Sequence, residues 1–309
     1  MQLAKSTLAK VLELAPDVVE PYLTLAAVYM ETRTFDQALS VGEKLLAVRP
    51  KEARAHRIIG RALLAQGNNA KALDALKAVT EQAPQDASGY YDVGVAYRKV
   101  KQEAEALKIF EKALALEPVM VAAVSQIVEI LVARGQPDKA LTRVQQQLQR
   151  VPNEAAMHNL LGTVLFGQRQ EAAAEQAWLK AIALNDNLPE PQLHLARLYH
   201  QRKAYAQAIQ QCELVITRHP RLVAPYMLLG SIYQEQQVIH KANEAYQQAL
   251  KLQPTFALAA NNLAWNYGEY GGNLDEAIAL ARMAREQAPE NPQVADTLGW
   301  LYYKKGEYT

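Results

Sequence analysis

The 309-residue sequence predicts an all-α solenoid of helix–turn–helix repeats, on three observations. First, Pro16, Pro50, Pro84, Pro118 and Pro152 stand 34 residues apart, and Pro220 and Pro254 continue the series. Two intervals of 34 lead from Pro152 past Asp186 to Pro220, and Pro289 follows Pro254 by 35, which marks one inserted residue. A fixed period of this length belongs to a stacked helical hairpin. Second, apolar and small residues recur at fixed places within each period. Third, half the chain is apolar and only 14 residues are glycine, so a core is available and low-complexity disorder is excluded.

The period divides the chain into a half unit, 1–18, eight full units and a closing half unit, 292–309. The full units are 19–52, 53–86, 87–120, 121–154, 155–188, 189–222, 223–256 and 257–291. Numbering each unit from its first residue, position 7 is Leu25, Ile59, Val93, Ile127, Leu161, Leu195, Leu229, Leu263 and Leu298. Position 8 is small in all but one: Ala26, Gly60, Gly94, Val128, Gly162, Ala196, Gly230, Ala264 and Gly299. Positions 4, 7, 8 and 11 share one face of a first helix, by the 3.6-residue period.

The second helix carries 20, 24 and 27 on its buried face, and position 20 is alanine in every full unit, from Ala38 to Ala277. Small residues at 8 and 20 are expected where the two helices cross closely. Proline at 32 stops the second helix and restricts the residue before it. Pro21, Pro189, Pro191 and Pro225 fall in the first turn of a first helix, where a missing N–H costs little. The fourth and fifth units are the weakest, with Val128, Gln147 and Asp186 departing from the pattern, and a looser joint is expected between units five and six.

The third unit shows the whole motif: Tyr90, Val93, Gly94, Tyr97, Ala106, Phe110, Ala113 and Pro118. This pattern resembles the tetratricopeptide repeat, and the likeness covers essentially the whole chain. The resemblance implies a right-handed α-solenoid, one superhelix from 1 to 309, whose first helices line a concave wall. Both ends fall inside units, so the chain is expected to be part of a longer protein. Residues 261–308 also resemble the closing repeats of bacterial exopolysaccharide-export and exosortase-associated tetratricopeptide lipoproteins. That likeness leans the compartment toward a bacterial periplasm or envelope over the cytoplasm.

Chemistry is sparse. Lys plus Arg is 33 and Asp plus Glu is 32, so no global field favours a nucleic-acid backbone or an anionic membrane. No apolar run approaches the roughly 18 residues a membrane helix needs. Cys212 is the single cysteine, which excludes an internal disulfide framework and a cysteine zinc site. It holds position 24, a packing place. No GxSxG, GxxxxGK[ST], HExxH or CxxC occurs. His56 and His158 hold position 4, an aromatic packing place; His194 with Glu190 makes two ligands at most, short of a metal site. No catalytic residue, metal or cofactor is expected.

Positions 2, 5, 6, 9, 12 and 13 point into the concave groove by the family's geometry, and they fall into three groups. Arg54, Arg57 and Arg61 form one stripe, joined by Arg98 and Lys99. Like charges at that spacing repel, so the stripe suggests a site for a carboxylate. The competing reading is a solvated face partly neutralised by Asp92. Glu190, His194, Arg197 and His200 make a second, polar group, with Tyr91 and Asn159 between the two. Asn261, Asn262, Trp265, Trp300 and Tyr303 make a third, whose tryptophans suit a peptide or glycan platform unless neighbouring repeats consume them. The three-unit carboxylate clamp known in some family members needs a Lys/Asn set that no three consecutive units supply. An asparagine ladder at position 6 is likewise missing, Asn262 apart.

The function expected is a non-catalytic scaffold holding a partner peptide or protein in the groove, with no nucleic acid and no membrane insertion. The alternatives are a helical-repeat RNA-binding protein, or the regulatory array of an enzyme whose catalytic domain lies elsewhere. Self-association through uncapped ends is also expected, because Leu298, Leu301 and Tyr302 make a face with no following helix, and the first helix has a bare outer side.

Overall fold

The computed structural model describes residues 2–307, and these contain eighteen helices and no strand. In chain order they are α1 (Gln2–Leu14), α2 (Val19–Glu31), α3 (Phe35–Val48), α4 (Ala53–Ala65), α5 (Asn69–Gln82) and α6 (Ala87–Lys99). Then come α7 (Glu103–Leu116), α8 (Val121–Ala133), α9 (Pro137–Arg150), α10 (Ala155–Gly167), α11 (Glu171–Leu184) and α12 (Pro189–Gln201). The last six are α13 (Tyr205–Arg218), α14 (Val223–Glu235), α15 (Ile239–Leu252), α16 (Ala257–Glu269), α17 (Leu274–Gln287) and α18 (Pro292–Lys305). Every first helix of a full unit runs from position 1 to 13, and every second helix has 14 residues. This is an all-α helical-repeat solenoid in which each helix from α1 to α9, and each from α11 to α18, packs on its chain neighbour within that run. The chain divides into two compact units, Met1–Leu160 and Leu161–Thr309.

The turn inside each repeat has one shape. Position 15 is left-handed in all eight, at Arg33, Gly67, Lys101, Gly135, Arg169, Lys203, Gln237 and Gly271. The N–H of position 16 then bonds the carbonyl of position 11, as in Asn68 to Leu63 at 2.8 Å and Gln102 to Tyr97 at 2.9 Å. This is the Schellman closure, which satisfies carbonyls that the helix end would otherwise leave open.

In the first compact unit, Tyr22, Leu25, Val41 and Leu45 form one core cluster, and Leu73, Leu76, Val79 and Val93 another. In the second, Ala264, Ala277, Ile278, Ala281 and Leu301 pack together. The position-20 alanines are fully buried in all eight repeats. Position 8 meets position 24 of the same repeat. A Cβ on Gly60, Gly94, Gly162 or Gly230 would lie 2.4, 2.5, 2.4 and 2.3 Å from Leu76, Phe110, Trp178 and Tyr246. Crossing distance alone does not set the size at position 8; the side chain opposite does.

At the C-terminal end the uncovered face expected from the sequence is in fact covered. Leu301 is fully buried, and Leu298 and Tyr302 pack into the same cluster from α16 and α17. The apolar side of α18 turns back onto the preceding hairpin. At the other end, Leu3 and Leu14 are 79% and 78% exposed. Gly306 ends α18 in a left-handed conformation, and Tyr308 and Thr309 lie outside the described residues. No described helix is long and apolar enough to cross a membrane.

Candidate functional site

In the first compact unit, α2 and α4 frame a groove of about 430 Å³ lined by Leu23, Ala26, Ala27, Met30, Glu31, Arg54, Arg57, Ile58 and Arg61. Its floor is aliphatic and its rim is the arginine stripe. The stripe is not free. Arg61 grips both oxygens of Asp92, at 2.9 and 3.0 Å. Arg57 Nε lies 3.3 Å from the same carboxylate without hydrogen-bond alignment, and its guanidinium also bonds Asp86. Asp86 in turn caps α6 by accepting from the Gly89 N–H at 3.1 Å. Arg54 pairs with Glu20 at 3.0 Å and with Glu52 at 2.8 Å.

Asp92 is therefore a buried counter-charge, 5% exposed, and not a groove residue. Burial raises its carboxyl above the usual range, while the Arg61 and Arg57 guanidinia pull the other way. Glu52 is held below its ordinary value, first by the hydrogen bond from Arg54. Arg98 bonds Gln126 and pairs with Glu129 at 2.8 Å. Half-buried Tyr91 tilts on Phe110 at 5.8 Å, and burial raises its phenol pKa. Asn159 is half-buried on α10. Sequence reasoning missed Glu20, Glu52, Asp86, Gln126 and Glu129 as partners. The signal available was register: Glu20 and Arg54 both hold position 2, one repeat apart.

In the second compact unit, α12 and α14 frame a groove of about 480 Å³ lined by Arg197, Val223, Ala224, Met227, Leu228, Ser231, Gln253 and Phe256. The two grooves share a plan: position 9 of one first helix and positions 2, 5, 6 and 9 of the next. His194, one turn before Arg197, stacks on Trp178 with ring centres 5.1 Å apart and planes 16° apart. Burial, then the Arg197 charge, lowers its pKa. His200 bonds Glu235 at 2.6 Å.

The third group assembles as the spacing suggested. Trp265 and Trp300 stack with centres 6.5 Å apart, and Trp300 and Tyr303 at 5.6 Å. Lys304 lies 5.1 Å over the Trp300 ring and pairs with Glu269 at 3.0 Å, and Glu269 accepts from the Trp300 indole. Trp300 is thus largely consumed by its neighbours, while Tyr303 is 59% exposed. Asn261 is buried with its carbonyl oxygen unsatisfied, and Asn262 is half-buried. Cys212 is fully buried and its thiol is pushed up to about 12 by burial, which leaves no nucleophile there.

The chain is similar to several known proteins. The chain is 24% identical over 262 residues to the human protein O-mannosyl-transferase TMTC3, covering 83% of this chain and 29% of that one. It is 25% identical over 162 residues to lipopolysaccharide assembly protein B of Escherichia coli K12, covering 52% of this chain and 41% of the relative. The chain therefore spans less than half the length of either relative. The crystal structure of yeast Tom70 matches with a TM-score of 0.67 at 17% identity, over 94% of this chain and 61% of that one. Family models described as tetratricopeptide repeat match residues 23–87, 59–121, 98–163 and 227–292. With eight hairpins in one register and these matches across most of its length, the chain belongs to the tetratricopeptide repeat family.

Proposed function

We propose that this chain is a non-catalytic scaffold that holds a partner peptide or protein in the grooves between its first helices. Tetratricopeptide arrays are protein-interaction scaffolds, and one observation carries the finer reading. In the nine first helices no residue at position 2, 9 or 13 is buried, whereas position 8 is buried in every repeat except at Gly299. Side chains at 2, 9 and 13 lie outside the helix-packing core, although several, Arg54, Arg61 and Trp300 among them, are held by neighbouring side chains. The match to lipopolysaccharide assembly protein B and the likeness of the closing repeats to envelope lipoproteins support a role in assembling bacterial envelope polysaccharide. A competing reading, an array serving an attached enzyme, has the match to TMTC3 in its favour.

The test is selection of binding peptides from a random display library, followed by calorimetric titration of the selected peptides. Substitutions at Arg61, Arg197, and Trp265 with Trp300 together sample the three groups. Loss of roughly tenfold in affinity for at least one substitution is expected. Binding indifferent to all of them, or tight salt-sensitive RNA binding in a filter assay, defeats the reading.

A further inference from the structure

The arginines of the first helices are not equivalent. Arg54, Arg57, Arg61 and Arg98 each have a carboxylate within ion-pair distance. Arg197 is exposed and makes no hydrogen bond or ion pair. The nearest acid before it on α12, Glu190, is two helical turns away, roughly 10 Å along the axis. The groove wall facing Arg197 is aliphatic, with Val223, Ala224, Met227 and Leu228 on α14 and Phe256 beyond. Its polar additions, Ser231 and Gln253, are uncharged. His194, the titratable neighbour, is stacked on Trp178, and burial disfavours its charged form. The groove thus offers one unmatched guanidinium beside an apolar trough.

From this geometry we infer that the groove between α12 and α14 takes a peptide segment carrying an acidic side chain next to aliphatic residues. The carboxylate bonds Arg197, and the aliphatic neighbours lie along Val223, Met227 and Leu228. An Arg fork prefers a carboxylate and grips it in two parallel bonds. A chain terminus is not the chosen ligand. Capture of a terminus draws on free backbone N–H groups; those around Arg197 are bonded inside α12, and the open ones on the facing wall belong to Val223 and Ala224 in the first turn of α14. The inference rests on the groove reading above and names the class of partner for one groove.

The test uses the full chain and a display library of random peptides with both ends capped. Binders are sorted by loss of binding to Met227→Asp, which puts a charge into the trough. In that set, Asp or Glu beside Leu, Ile, Val or Met is expected to be enriched. Arg197→Ala is expected to weaken these peptides roughly tenfold, and changing the peptide Glu to Gln to weaken them equally, with no further loss when the two are combined. Arg197→Glu paired with a Lys-bearing peptide restores binding. Because Arg197 is exposed and unpaired, its variants keep the helical circular-dichroism signal of the parent. Met227-sensitive binders without acids, acid-bearing binders indifferent to Arg197→Ala, or a library with no Met227-sensitive binder each overturn the inference and leave the general reading to the other grooves. A library yielding no binder at all overturns both.

Discussion

A Cβ placed on Gly162 would lie 2.4 Å from Nε1 of Trp178, closer than real side chains approach. The same pairing of positions 8 and 24 runs through the array as a rule of combined volume. Glycine at 8 faces Leu76, Phe110, Trp178 or Tyr246, whereas Ala26, Ala196 and Ala264 are matched in sequence by Gly42, Cys212 and Ala281. Gly162→Ala and Gly230→Ala are therefore expected to destabilise the chain by about 1–3 kcal/mol each through overpacking. Gly299→Ala meets nothing within 4 Å on an exposed face of α18 and is expected to stabilise by about 0.5–1 kcal/mol. Thermal or urea unfolding of the three variants checks the opposite signs. Gly162→Ala combined with Trp178→Cys, which copies the Ala196–Cys212 pair, gives a favourable coupling in a double-mutant cycle.

The left-handed turn at position 15 supplies a second prediction. Arg33, Lys101, Arg169, Lys203 and Gln237 adopt positive φ with a Cβ present. That conformation costs a non-glycine residue roughly 1–2 kcal/mol, and glycine gives back part of this through the entropy of the unfolded chain. Lys101→Gly is expected to raise stability by up to about 1 kcal/mol, and Gly67→Ala to lower it by about 1–2 kcal/mol. Equilibrium denaturation decides; a destabilised Lys101→Gly would show that the turn is not strained.

These two features mark where the sequence was legible and where it was not. The 34-residue period, the helix bounds and the buried alanines follow from proline spacing and apolar register, because each repeat solves the same packing problem. The turn conformation was hidden, since only Gly67, Gly135 and Gly271 of its eight positions advertise positive φ. The partners of the arginine stripe were hidden too, because Glu20, Glu52 and Asp86 reach it across repeats or from the loop before a helix. Register shows that Trp265 and Trp300 share a wall, yet the filling of the space around Trp300 by Lys304 and Glu269 needs coordinates. The buried side of α18 was misread because a terminal helix folds its apolar face backward onto α16 and α17.

The Asp92 cage yields a prediction about charge. Arg61→Ala removes a two-point grip on a buried carboxylate and is expected to cost about 1.5–3 kcal/mol. Arg54→Ala breaks pairs in which Glu20 is 72% exposed, and its cost is expected to stay below about 1 kcal/mol. The pH dependence has a definite sign. The folded-state value of Asp92 lies above its ordinary 3.8, so the native state holds this proton more tightly than the unfolded chain. Its contribution is then favourable at acid pH and is lost as pH rises through the raised value. Urea titrations of wild type and Asp92→Asn between 3.8 and neutrality should show that falling component in wild type alone.

His194 predicts the opposite slope in a different window. Its ring stacks on Trp178, and burial together with the Arg197 charge lowers its pKa below the ordinary 6.5. The native state therefore binds fewer protons than the unfolded chain as pH falls through 6.5, and stability declines on the acid side of that value. His56, also lowered by burial, adds to the decline. The lowered carboxyls Glu52, Glu235 and Glu269 act below their ordinary 4.5 and do not overlap this window. His194→Phe keeps a ring on Trp178 but cannot titrate, so its unfolding midpoint is expected to vary less than that of wild type between pH values just above and below 6.5. Arg197→Ala removes the second cause of the shift and is expected to move the His194 titration, followed by ring-proton NMR, upward. An unchanged His194 titration in Arg197→Ala would mean that the guanidinium's charge is already screened, and the carboxylate-binding role of the groove would lose its electrostatic basis.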